Sequence, residues 1–285
     1  MSRNKDRLGS TGAQATHAPP PQAMQDGGGG FSFVVPTEFV ELPSKGRYYP
    51  ENHPLHNEDT IEIKQMTAKE EDMLTSRALL KKGIALDRVM KSLIINKAID
   101  PQSLLVGDRN AIMVALRISG YGNEYTTNIT CPACSATQKY SFDLNDVLVE
   151  EGKALEELSV SELGDGFFKT LLPKTECEVV FRLLTGAQEK TLVTQLENAR
   201  KRNKEENTIT TQLKLLTVSV NGDDSRATLD YFANNVPSLD AAHLRAAFST
   251  ASPNIDLTQH FACEECAHTQ DMEVPLNADF FWPNR

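Results

Sequence analysis

The sequence holds no apolar run of the length a bilayer requires, about 20 residues. No stable membrane insertion is expected. Its first residues lack the apolar core of a secretion signal. Synthesis and folding in a reducing cytoplasm are therefore expected, where C-x-x-C pairs are more often metal ligands or redox centres than structural disulfides. Positive charge is in deficit: 29 Lys and Arg stand against 39 Asp and Glu, a net charge of −10. Broad binding to nucleic acid needs basic patches that neutralise phosphates, so nucleic acid is not an expected partner. Glycine-rich phosphate-binding patterns are missing as well. Val106-Gly107-Asp108-Arg109 has one glycine and reads as the start of a helix. With no nucleophile–base pair and no paired carboxylates, no catalytic or cofactor-binding residue is assigned and no enzyme is expected.

Cysteine is sparse, five in 285 residues, yet four of the five form two C-x-x-C pairs. These are Cys131-Pro132-Ala133-Cys134 and Cys263-Glu264-Glu265-Cys266. Tyr125, Thr127 and Ile129 alternate with polar residues before the first pair, and Tyr140, Phe142 and Leu144 alternate after it. Ile255, Leu257 and Phe261 precede the second pair; Met272, Val274 and Leu276 follow it. Each pair thus reads as the tip of a β-hairpin. Four thiolates in two tight turns can surround one tetrahedral zinc, so Cys131, Cys134, Cys263 and Cys266 are the candidate ligands of one structural Zn2+ per chain. Other readings stay open: two separate sites with His260 and His268 helping the second pair, a thiol redox centre, or metal-free hairpin tips. The fifth cysteine, Cys177, is expected to be an inert core residue.

The expected fold class is α+β, with one unit present twice and its two hairpins joined in a zinc-ribbon-like site. Residues 1–30, with Pro19-Pro20-Pro21 and Gly27-Gly28-Gly29-Gly30, read as a flexible or partner-bound tail. A strand over Phe31 to Val40, interrupted by Pro36, opens a first unit at 31–148, and the loop Leu42 to Pro50 is expected to wrap that unit. Strand residues Ile61 and Ile63 follow, then Thr67 and Glu70 as a capping box for a helix to Lys82. Leu86 to Ile94 carries a second helix, and Asp108 is the expected cap of a third. An acidic linker is expected at 149–166, and a second unit at 167–285. There the order returns: a strand from Glu178 to Leu184, a capping box of Thr185 and Gln188, and a helix spaced on Ile209, Leu213, Leu216 and Val220. A short extra helix is expected near Tyr231, and Ser238 is the expected cap of the last helix. Cys131, Cys134, Thr137 and Gln138 match Cys263, Cys266, Thr269 and Gln270 without a gap, and Ala115-Leu116-Arg117 resembles His243-Leu244-Arg245. The aromatic ending Asp279-Phe280-Phe281-Trp282-Pro283 is expected to pack on the second hairpin, or else to anchor a neighbouring subunit.

Two stretches carry a family resemblance. One runs from Leu105-Val106-Gly107-Asp108-Arg109 through Leu116-Arg117-Ile118-Ser119-Gly120-Tyr121-Gly122-Asn123-Glu124-Tyr125 to the first cysteine pair. The other runs from Asn254-Ile255-Asp256 through the second pair to Phe280-Phe281-Trp282-Pro283. Together they resemble the base-plate proteins, including hub components and hub-assembly factors, of contractile-tailed, T-even-like bacteriophages. The resemblance covers roughly residues 60–285. It implies a structural part of the tail base plate in the hub region, made in the host cytoplasm and carried in the virion. Its implied partners are other base-plate and hub proteins within a large symmetric assembly. Two alternatives are a transient assembly factor absent from the virion and a zinc-ribbon adaptor acting on nucleic acid or transcription machinery.

Overall fold

A computed structural model of the chain describes residues 23–25, 31–33, 35–146, 148–150, 155–201, 207–275 and 280–281. Short strands β1 (Ala23–Gln25) and β2 (Phe31–Phe33) pair antiparallel on either side of the glycine run. Beyond Pro36, β3 (Thr37–Glu41) pairs with β4 (Thr60–Lys64), which buries Ile61 and Ile63. Thr67 and Glu70 form the expected capping box and start α1 (Ala68–Thr75). The helix does not run on to Lys82. It breaks at Ser76, whose φ of −63° and ψ of 109° are extended, and resumes as α2 (Arg77–Lys81). Next, α3 (Ala85–Leu93) buries Ala85, Val89, Met90 and Leu93. The longer α4 (Val106–Tyr121) ends at Gly122, whose φ of +82° suits a residue without a Cβ.

Asp108 has a different role from the cap expected of it. Leu105 is the cap, and Asp108 is the third residue of α4. Its carboxylate is buried and accepts hydrogen bonds from the Ser44 amide (3.0 Å), the Ser44 hydroxyl (2.6 Å) and the Tyr49 hydroxyl (2.7 Å). It thereby pins the loop between β3 and β4 across the first half. Gly46 makes the tight turn in that loop possible: its φ is +70°, and a Cβ there would stand 2.3 Å from the Glu58 amide nitrogen.

The first cysteine hairpin consists of β5 (Glu124–Thr130) and β6 (Thr137–Asp143). Tyr125, Thr127 and Ile129 are buried while their neighbours are exposed, the period of a half-buried strand. In the stretch expected as an acidic linker, β7 (Leu148–Glu150) is followed by β8 (Ser161–Gly164). With β9 (Phe167–Leu171), β10 (Glu178–Arg182) and a later strand, β8 makes an antiparallel four-stranded sheet. Helices α5 (Gly186–Lys201) and α6 (Thr208–Leu216) come next. The spacing of Ile209, Leu213, Leu216 and Val220 predicts a helix as far as Val220, but α6 stops at Leu216. Thr217, Val218 and Val220 are β-branched, and β11 (Thr217–Val220) leaves the helix to pair with β10.

The extra helix near Tyr231 is α7 (Arg226–Asn235), and the last is α8 (Ser238–Ala251). Ser238 is the first residue of α8 and Pro237 its cap, so the serine is not the cap. Asp240, at the third position, is fully buried. It accepts the amides of Lys174 (2.8 Å) and Thr175 (3.0 Å) from the turn between β9 and β10. After α8, β12 (Asn254–Asp256) pairs with β7, and β13 (Thr258–Ala262) pairs with β14 (Thr269–Glu273) as the second cysteine hairpin.

The halves are stitched together away from the hairpins. The Val106 amide donates to Leu184 O (3.0 Å), and the Gly186 amide donates to Leu104 O (2.9 Å). Asp87 on α3 pairs with Arg109 on α4 (3.1 Å) and with Lys190 on α5 (3.0 Å). Gly107 lets α4 approach the second half closely, since a Cβ there would lie 2.0 Å from Pro253 O. A single apolar core draws on both halves.

Candidate metal centre

Each C-x-x-C sits in a tight turn built from backbone bonds. The Cys131 amide donates to Ala136 O (2.8 Å), and the Ser135 amide donates to Cys131 O (2.9 Å). At the second tip the Cys263 amide donates to His268 O (2.8 Å), and the Ala267 amide donates to Cys263 O (3.0 Å). Ser135 and Ala267, each just after the second cysteine of its pair, take left-handed φ values of +61° and +56°. Two non-glycine residues held in that uncommon conformation mark tips with a required shape.

The tips meet. Cys131 Sγ lies 3.8 Å from Cys266 Sγ, and Cys134 Sγ lies 3.7 Å from Cys263 Sγ. All four ligand atoms fall within 4.8 Å of one another, a grouping compatible with a metal site. Cys131 and Cys263 are buried, whereas Cys134 and Cys266 are exposed. The backbone amides of Cys134 and Ala133 draw the Cys131 thiol down to about 6. The amide of His268 acts the same way on Cys266, but the crowding sulfurs of Cys134, Cys263 and Cys131 outweigh it and push that thiol up to about 12. Four thiolates this close repel one another, and a cation among them removes the conflict.

Side chains from both hairpins hold the tips in register. Gln138 Nε2 donates to Ala262 O (3.1 Å), and Gln138 Oε1 accepts the Glu264 amide (2.9 Å). The Tyr140 hydroxyl donates to His260 O (2.8 Å), and the Tyr140 ring meets Phe261 edge-on at 5.1 Å. Gln259 bonds Asp143 in both directions, through its Nε2 (2.7 Å) and its Oε1 (3.2 Å). None of Gln138, Tyr140 and Gln259 is legible as a bridge from sequence, because each acts on a residue more than a hundred positions away. Their one visible sign is the alternation that puts Gln138 and Tyr140 on the face of Phe142, and Gln259 on the face of Phe261.

The structure brings together all four expected cysteines. His260 instead faces Asp271 (3.2 Å), and His268 faces Gln270. Cys177 is half-buried rather than a core residue, and its sulfur accepts from Asn221 Nδ2 at 3.7 Å. Phe280 and Phe281 are buried, and Phe280 packs edge-on against Tyr125 of the first hairpin (5.1 Å). Leu276, Asp279, Trp282 and Pro283 lie outside the described residues.

The family described as T4 bacteriophage base plate protein matches residues 35–282. No curated protein and no solved structure matches the chain.

Proposed function

This chain belongs to the T4 bacteriophage base plate protein family, and from that premise we propose that it is a structural component of the hub region of a contractile tail base plate, stiffened by one zinc ion. The family points to a structural, non-enzymatic role, to association with other phage tail proteins and to a place in the virion tail. Among the described residues no helix is long and apolar enough to cross a membrane.

The observation that carries the metal is the convergence of Cys131, Cys134, Cys263 and Cys266. Zinc–thiolate bonds of about 2.3 Å in a tetrahedron set sulfurs about 3.8 Å apart. Spacings of 3.7 and 3.8 Å across the two hairpins agree with that edge and are far too long for a disulfide. A closed set of four thiolates is the donor set of structural zinc, with no open position for substrate. The ion would lock one hairpin to the other and let the subunit carry force without the hairpins parting.

The two halves read as copies of one unit. Asp108 and Asp240, Ser135 and Ala267, and Cys131 and Cys263 share one spacing (240 − 108 = 267 − 135 = 263 − 131 = 132). Upstream, Thr67 and Thr185, like Glu70 and Gln188, share a shorter one (185 − 67 = 188 − 70 = 118). The lengthening falls where β11 and α7 follow α6, whereas a single bridge from Ile94 to Ile63 follows α3. In this register Ile112 corresponds to Leu244, both fully buried. Ala115-Leu116-Arg117 and His243-Leu244-Arg245 are thus about one helical turn out of step.

Elemental analysis of the purified chain tests the metal. One zinc per chain is expected, lost on either Cys131→Ser or Cys263→Ser; two zincs, or none, would overturn the shared site. Mass spectrometry of purified virions tests the place. The protein is expected in mature particles, and presence only in assembling tails would leave the transient assembly factor instead.

A further inference from the structure

The chain is acidic, with a net charge of −10, yet one pocket is basic. A cavity of about 580 Å³ between β4, α1 and α3 is lined by Lys64, Lys69, Arg88, Lys91 and Lys97. Its one carboxylate, Glu70, is buried and occupied, accepting from the Thr67 amide (3.2 Å) and the Ser92 hydroxyl (2.7 Å). Among the described residues none of the five cations is ion-paired with a carboxylate.

Two of these charges are fixed in place. Lys91 Nζ donates to the carbonyls of Lys97 (2.8 Å) and Ile99 (2.7 Å). Lys97 Nζ donates to those of Lys91 (3.0 Å), Ser92 (2.8 Å) and Ile94 (2.6 Å), at the carboxyl end of α3. Carbonyl dipoles position the ammonium groups but do not cancel their charge. The Lys97 ammonium is held below the usual lysine range, first by burial and then by the nearby charges of Lys64 and Lys91, which together outweigh the pull of Glu70. An anion in the pocket would relieve that repulsion.

We propose that this pocket docks an acidic segment of a neighbouring polypeptide. The cations share the pocket with apolar surface from Val35, Met73 and Leu93. That mixture suits the carboxylates and methylenes of a peptide better than the bare phosphates of a nucleic acid. Reach points the same way. Screening over about 8 Å at physiological ionic strength lets a short acidic segment feel the pocket without the rest of the surface. A long polyanion would run on over that acidic surface and be repelled. The site involves neither cysteine hairpin.

The test uses the full chain and a short fluorescein-labelled peptide of glutamate and leucine, followed by anisotropy. Saturable, salt-sensitive binding is expected. The double variant Lys64→Glu/Lys69→Glu should weaken it roughly tenfold. Both side chains are exposed and neither forms a hydrogen bond or ion pair among the described residues, so the variant is expected to stay folded. Lys139→Glu, on an exposed strand position of the first hairpin, should leave binding unchanged. Absence of binding, or equal loss in both variants, overturns the proposal. So does equally tight binding of a single-stranded oligonucleotide of the same charge.

Discussion

In the first half, the loop pinned by Asp108 is long, running from Leu42 to Asp59 and burying Tyr49. In the second, Asp240 holds only the short turn from Leu172 to Cys177. The two carboxylates share a helix position but face different donors. Asp108 meets two hydroxyls and one amide, while Asp240 meets two amides and the Thr175 side chain. Burial pushes both carboxyls up. At Asp108 it prevails, and the group stands above the usual carboxylate range. At Asp240 burial is outweighed by the bonds from Thr175 and Lys174, with His243 adding to them, and the group stands below that range. Position on the helix therefore sets what the aspartate anchors, and the balance of burial against hydrogen bonds sets its charge.

The largest expected effect tests whether the halves are fastened at their tips. Cys131→Ser and Cys263→Ser should each release the metal and cost more than about 4 kcal/mol of stability, because losing a structural metal is among the most damaging single changes. Equal losses in urea unfolding mean one shared ion. Unequal losses would break the equivalence of the halves. Next come the anchors. Asp240→Asn should cost about 3 kcal/mol and Asp108→Asn about 2, since asparagine keeps one acceptor and turns an amide toward donors. Their pH dependences should oppose each other. The depressed Asp240 contributes stability above the ordinary carboxylate pKa that is lost as pH falls through its folded value. The raised Asp108 favours the fold below the ordinary pKa, and that contribution is lost as pH rises through its folded value. Asp240→Asn should flatten the acid limb of the stability–pH curve, and Asp108→Asn should remove a decline above it. Parallel changes in both variants would show that the balance of burial against hydrogen bonds is the same at both sites.

How much was legible in the sequence follows the range of each interaction. Thr67 and Glu70 announce their capping box because the bonds close within one turn. Tyr125, Thr127 and Ile129 announce a strand because the period is local. The cysteine pairs announce the candidate site because few residues hold metal at that spacing. Asp108 misleads because a carboxylate near a helix start is ordinarily a local cap, whereas its partners lie about sixty residues upstream. Val220 misleads for a related reason. Four-residue spacing fits a helix, but pairing with β10 decides the matter, and that strand lies some forty residues away. Phe280 could be recognised as a buried ring, but not as a neighbour of Tyr125.

Smaller effects separate the hairpins from each other. Gln138 bonds across to both sides of Cys263, whereas Gln270, its equivalent, meets only His268, at 3.5 Å, among the described residues. Gln138→Ala should cost about 1–2 kcal/mol and Gln270→Ala less than about 0.5. Thermal unfolding of the metal-loaded chain would measure both, and equal costs would mean that the bridge is not one-sided. The smallest change concerns α7, which on the proposed duplication has no counterpart among the described residues of the first half. Tyr231 on α7 is 71% exposed, so its ring stands largely in water. The core-facing side of α7 is carried by Phe232 and Ala233, both buried, so Tyr231→Ser should shift stability by no more than about 0.5 kcal/mol. A loss above about 1 kcal/mol would show that the exposed ring of Tyr231 adds to the packing that Phe232 and Ala233 already give α7.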